Sequence, residues 1–144
     1  MPETVLSFTV PGEPKGKARP RVTRSGHAFT PQGTQYYENA VKLCFAEKYP
    51  DHEPVADVGF IATIDAGFAI PKSWSKKKRE AALRGEIRPT KKPDADNIAK
   101  IILDPLNEIA YKDDSQIVGL CVTKFYTVKP CAIVRLIYGE PDEE

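Results

Sequence analysis

The strongest constraint on the fold is a segment in which one helix face must be buried while the other carries polar groups. From Asn97 to Ile109 the residues Ile98, Ile101, Ile102, Leu106 and Ile109 recur at helical spacing, which predicts a helix packed on a core. Asn97, Lys100 and Asp104 fall at i, i+3 and i+7 on the opposite face. Pro105 sits inside the pattern, where it removes a backbone hydrogen bond and should bend the helix.

The remaining apolar pattern supplies what this helix packs against. Thr4 to Val10 alternates, with Leu6, Phe8 and Val10 on one side, and reads as a strand ended by Pro11-Gly12. Gln35 to Lys48 places Tyr36/Tyr37, Ala40/Val41 and Cys44/Phe45 at helical intervals, and Tyr49-Pro50 stops that helix. Val55 to Ile64 is β-rich and suits a central strand continuing toward Ile70. Ile117–Val128 and Ala132–Tyr138 read as two strands of a hairpin around Lys129-Pro130. The expected architecture is α+β: a small mixed sheet with two main helices packed on it. At 144 residues the whole chain, 1–144, fits a single domain, with no internal repeat.

Two basic segments interrupt this frame. Residues 11–32 form a long loop without apolar period, carrying Lys15, Lys17, Arg19, Arg21 and Arg24. Residues 71–92 form a basic flap in which Ser73 or Ser75 caps a short helix bearing Lys76, Lys77 and Lys78. Trp74 is its hydrophobic anchor, with base stacking as the alternative role. Acid is concentrated instead at 94–114 and at 140–144, so a net charge of +1 conceals strong local asymmetry.

Several chemistries are excluded by what the chain lacks. There is no apolar run long enough for a membrane span, and Met1-Pro2-Glu3 does not begin a signal peptide, so a cytoplasmic location is expected. Cys44, Cys121 and Cys131 are widely spaced and the only histidines are His27 and His52. Neither a zinc site nor a disulfide framework is suggested, and the thiols read as buried and reduced. A phosphate-binding Gly-rich loop, an H-E-x-x-H helix and a Ser-His-Asp set are all missing, and no small-molecule cofactor is expected.

What remains is the acidic cluster. Asp94 and Asp96 share a face only on an extended lead-in, which Pro93 favours just before the helix. One such acid would need no explanation beyond helix capping. Two of them, with Lys100 and Asp104 one and two turns on, suggest more. In Asp113-Asp114 neighbouring side chains point apart, so only one can join the cluster. Crowded carboxylates resist ionising together unless a cation neutralises them. Oxygen ligands without histidine or cysteine suit Mg²⁺, with Mn²⁺ as a substitute, and one or two ions would serve hydrolysis of a phosphodiester. Lys100 would neutralise charge in the transition state.

Three stretches together resemble the signature of the RusA family of Holliday-junction resolvases. They are Lys92-Pro93-Asp94-Ala95-Asp96-Asn97-Ile98-Ala99-Lys100, Asp104-Pro105-Leu106-Asn107, and Lys112-Asp113-Asp114-Ser115-Gln116-Ile117-Val118. Gly16-Lys17-Ala18-Arg19-Pro20-Arg21 and Phe29-Thr30-Pro31 resemble the branch found in phages and prophages. The resemblance implies a homodimeric, Mg²⁺-dependent endonuclease that nicks four-way DNA junctions in recombination and repair. It assigns the essential metal-binding acids to Asp94, Asp96 and Asp114 and the catalytic lysine to Lys100. Asn97, Asp104 and Asp113 take supporting positions. The basic residues of the two segments are expected to hold branched DNA by its backbone. The competing expectations are a metal-dependent nuclease preferring flaps or forks, and a catalytically idle DNA-binding module.

Overall fold

A computed structural model describes residues 3–139; residues 1–2 and the acidic run 140–144 lie outside the described residues. The strands are β1 (Glu3–Pro11), β2 (Arg21–Val22), β3 (Ala28–Phe29), β4 (Phe60–Ala69), β5 (Ile117–Thr127) and β6 (Cys131–Gly139). The helices are α1 (Gln32–Lys48), α2 (Lys76–Leu83) and α3 (Ala95–Leu103), with 3-10 turns at Asp104–Leu106 and Asp114–Gln116. The fold is α+β. Its main sheet is mixed, in the order β1-β6-β4-β5, with β6 antiparallel to β1 and β4, and β4 parallel to β5.

Alternation along the strands sends one set of side chains into the core. Leu6, Phe8 and Val10 of β1, Ala62, Ile64 and Ala66 of β4, and Ala132, Val134 and Leu136 of β6 are buried. The helices bring Tyr37, Val41 and Phe45 from α1 and Ile98, Ile101 and Ile102 from α3 into the same core. Phe8 and Phe45 meet edge to face at 5.5 Å, joining α1 to β1. Tyr49, which ends α1, closes the same corner: its hydroxyl accepts from Ser7 N–H at 2.8 Å and donates to Ser7 C=O at 3.1 Å.

The expected hairpin does not form. β5 and β6 are joined by the Val128–Pro130 turn, yet they flank β4 instead of pairing with each other. The turn crosses the end of β4, where Ala69 pairs with Thr127 and Gly67 with Cys131. β4 is the most continuously apolar strand, and its interior N–H and C=O groups need partners on both sides. It therefore takes the place between the two later strands. It also starts at Phe60 and not at Val55: Asp57 adopts a positive φ of 63° that breaks an extended run, and Val55 makes only an isolated bridge to Tyr111.

The helix of the acidic segment is legible but shorter than its apolar pattern. α3 ends at Leu103, and Pro105 lies in the 3-10 turn that continues it, so the expected bend is a change of helix type. The loop 11–32 holds an unexpected ribbon: β2 pairs with β3 across a turn in which Thr23 N–H donates to His27 C=O at 2.9 Å. In the flap, Ser75 caps α2 by accepting from Lys78 N–H at 3.2 Å. Trp74 packs edge-on against Tyr126 of β5 at 5.2 Å, and the Lys78 ammonium sits 4.0 Å above its ring. Arg88 donates to Lys124 C=O and Lys124 to Lys91 C=O, so the flap lies along the β5 edge and does not stand off the core.

Candidate active site

The acidic residues are positioned by burial on the opposite side of the elements that carry them. Full burial of Ile98, Ile101 and Ile102 contributes about 1.5–3 kcal/mol each. Like-charge crowding on an exposed helix face costs only about 0.2–0.5 kcal/mol per pair. Packing therefore dictates the orientation of α3, and Asp96 and Lys100 are left exposed. Asp94 is the N-cap residue in extended conformation, but its carboxylate makes no capping hydrogen bond. Asp96 lies in the first helical turn, so the pair is split across the helix start and does not lie wholly on an extended lead-in. Lys100 forms no ion pair among the described residues.

Asp104 and Asp114 come together where the 3-10 turn after α3 faces the entry to β5. Both line one cleft, close enough for their carboxyls to influence each other. Partial burial, then the hydrogen bond and the charge of Asp104, push the Asp114 carboxyl above its ordinary range. Asp113 has a different task. It caps the turn 114–116 by accepting from Ser115 N–H at 2.9 Å, which pulls its own pKa down. The dipeptide thus divides its labour as strand geometry requires, with one acid toward the cluster and one in a cap.

Two residues that sequence reasoning passed over hold this loop. The buried Tyr111 hydroxyl donates to Leu103 C=O at 2.5 Å, tying the end of α3 to the segment before Asp114. Burial and the nearby Asp114, Asp104 and Asp113 charges raise its pKa, so it stays protonated and remains a donor. Gln116 accepts from Lys112 and Asp113 N–H and donates to Val55 and Val58 C=O, all within 2.9–3.1 Å. Tyr111 belongs to no motif, and Gln116 stands in the Lys112–Val118 stretch without an assigned role; only the long-range partners reveal what they do.

Two clefts flank the acidic face of α3. One, of about 380 Å³, is lined by Asp96, Lys100, Asp104 and Asp114 and walled by Val118 and Leu120 of the β5 edge. The other, of about 410 Å³, is lined by Lys17, Arg19, Asp94, Asp96, Asn97 and Lys100. Asp96 and Lys100 stand on the ridge shared by both. Lys15, Arg19, Arg21 and Arg24 are exposed on the loop and ribbon, and Lys76, Lys77 and Lys78 on α2. Lys17 differs from them: its ammonium is held by Asp104 at 2.8 Å and Glu38 at 3.2 Å. Burial opposes its charge, but the hydrogen bonds it donates to the two acids, with their negative charges, outweigh burial and raise its pKa.

The donor set suits a hard cation, being made of carboxylates with no histidine or thiol among them. The Asp104–Asp114 pair, with its raised carboxyl, is the crowding that a cation relieves. Among the described residues, no three acidic, histidine or cysteine side chains already converge on one point.

Acids on a helix start, with a lysine one turn on and the basic loop beside them, are groups that suit phosphodiester chemistry. The family model described as endodeoxyribonuclease RusA matches residues 11–137, and the chain belongs to that family. It is also 40% identical over 128 residues to the Bacillus subtilis (strain 168) protein described as "Uncharacterized protein YqaN", covering 87% of this chain and 90% of that one.

Proposed function

We propose that the chain is a Mg²⁺-dependent, structure-specific endonuclease that resolves four-way DNA junctions by paired nicks in recombination and repair. The observation that carries this reading is the acidic ridge of α3, open on both sides and bordered on one of them by the basic loop. Asp94, Asp96 and Asp114 would hold Mg²⁺ or Mn²⁺, whose chemistry there is charge neutralisation and acidification of water. Lys100, free of an ion pair among the described residues, is available to a phosphate oxygen as negative charge develops. Lys15, Arg19, Arg21 and Arg24 of the loop and ribbon, and Lys76 and Lys77 of the flap, meet DNA arms through phosphates with little base readout. Asn97 borders the second cleft, and a supporting role there is what the family resemblance implies.

A homodimer suits this task because a four-way junction has approximate two-fold symmetry and needs two matched cuts. The surface such an assembly would cover is the exposed apolar group of Val118, Leu120 and Ile61 on β5 and β4. The test is cleavage of a synthetic four-way junction beside linear duplex, flap and fork, with Mg²⁺ or with EDTA. Paired symmetric nicks in the junction alone, lost with EDTA, are expected. Equal cutting of flap or fork would overturn junction specificity, and binding without any cutting would leave a DNA-binding module.

A further inference from the structure

Lys17 belongs to a basic loop, yet the chain around it is laced to the two main helices. Its N–H donates to Asn97 C=O at 2.9 Å. Gly16 lies so close to α3 that a Cβ there would meet Pro93 Cβ at 2.7 Å. Ala18 N–H donates to the Oγ1 of Thr34, a buried residue of α1, at 3.3 Å. Backbone held on both sides fixes where the Lys17 side chain starts. Its ammonium then spans from Glu38 in the middle of α1 to Asp104, at 3.2 and 2.8 Å. Asp104 in turn lines one cleft with Asp114. Four charged groups thus run in one line, from a helix that carries no catalytic group to the acid at the entry of β5.

We propose that Lys17 and Glu38 are positioning residues that brace Asp104, and through it Asp114, in the geometry the site requires. The proposal rests on the reading of Asp114 as an acid of the active centre. Nothing in a phosphate-contact role for Lys17 would require a half-buried carboxylate on α1 at 3.2 Å. A brace requires it, because an ammonium held by one acid alone can swing away with it. Partners one step removed from metal-binding or reacting groups are known to orient them, and their loss lowers affinity or activity by about 10–100-fold.

Glu38→Gln separates the two roles of Lys17. If Lys17 braces the site, Glu38→Gln and Lys17→Met each lower single-turnover junction cleavage by about 10–100-fold. Junction affinity stays near wild type, and the double variant is no worse than Lys17→Met alone. Mn²⁺ affinity of the full chain, read by calorimetry without DNA, falls in Glu38→Gln. If Lys17 instead contacts DNA, Glu38→Gln releases it, so binding tightens and cleavage persists, while Lys17→Met lowers the salt slope by about one. That result overturns the brace. Should Lys17→Met not fold, Glu38→Gln alone decides. A wild type that cuts no junction but binds Mn²⁺, with weaker binding in Glu38→Gln, would refute junction cleavage and uphold the brace. A wild type that cuts, with Glu38→Gln unchanged in rate and Mn²⁺ affinity, would refute the brace and uphold the nuclease.

Discussion

Gly16→Ala tests how tightly the basic loop is fastened to the helix that carries the acids. The new Cβ would sit 2.7 Å from Pro93 Cβ and 3.1 Å from Asn97 Cβ, both close to backbone and unable to swing aside. Overpacking of this kind costs about 1–3 kcal/mol. Gly16 is not among the glycines of positive φ, so alanine can adopt its backbone and recovers about 0.4–1 kcal/mol by restricting the unfolded chain. The net loss is up to about 2.6 kcal/mol, which at about 2–4 °C per kcal/mol for a chain of this size lowers Tm by up to about 10 °C. The more telling readout is local. Strain relieved by lifting the loop should break the Lys17 N–H to Asn97 C=O bond and speed hydrogen exchange at the Lys17 amide. Gly33→Ala is the control, since only Lys15 Nζ comes near its Cβ, at 4.0 Å, and alanine in α1 should raise Tm. A Gly16→Ala variant that melts at or above wild type, with its Lys17 amide equally protected, would refute the close approach.

Tyr111→Phe removes the buried donor to Leu103 C=O, and leaving that carbonyl unpaired should cost about 1–3 kcal/mol in urea unfolding. Lys77→Ala, on the exposed side of α2, should weaken junction binding and reduce the slope of log K against log salt by about one. Asp113→Ala should keep cleavage but lower Tm near neutral pH, because the cap on Ser115 N–H is lost. The sign with pH follows from the lowered pKa of Asp113. Its contribution is present above the ordinary value of 3.8 and vanishes as pH falls through the folded value, so the Tm gap should close in acid.

Much of this architecture is legible in local pattern, because burial imposes period. The apolar stripes of α1 and α3 identify both helices, and the alternation of β1 identifies its buried face. The β5–β6 hairpin is misread because Lys129-Pro130 signals a tight turn without saying whether a third strand lies between its arms. Within the site, the division between Asp113 and Asp114 follows from strand geometry. Glu38 does not, because an acid on a helix surface has no local mark, and its partner Lys17 looks like one more cation in a basic loop. Its role exists only once α1, the loop and Asp104 are brought together across the fold.

The strand order has a consequence for how the core is assembled. β6, the last strand of the sheet, sits inside it, pairing Ile137 with both Val5 and Ile61. Every neighbour in the sheet is distant along the chain, a topology that closes slowly. Before β6 is made, β4 and β5 can pair, but β1, on which α1 packs, has no partner in the sheet. β6 therefore ties β1, and α1 packed on it, to the β4–β5 pair that faces α3, and the two halves of the core meet only when it is inserted.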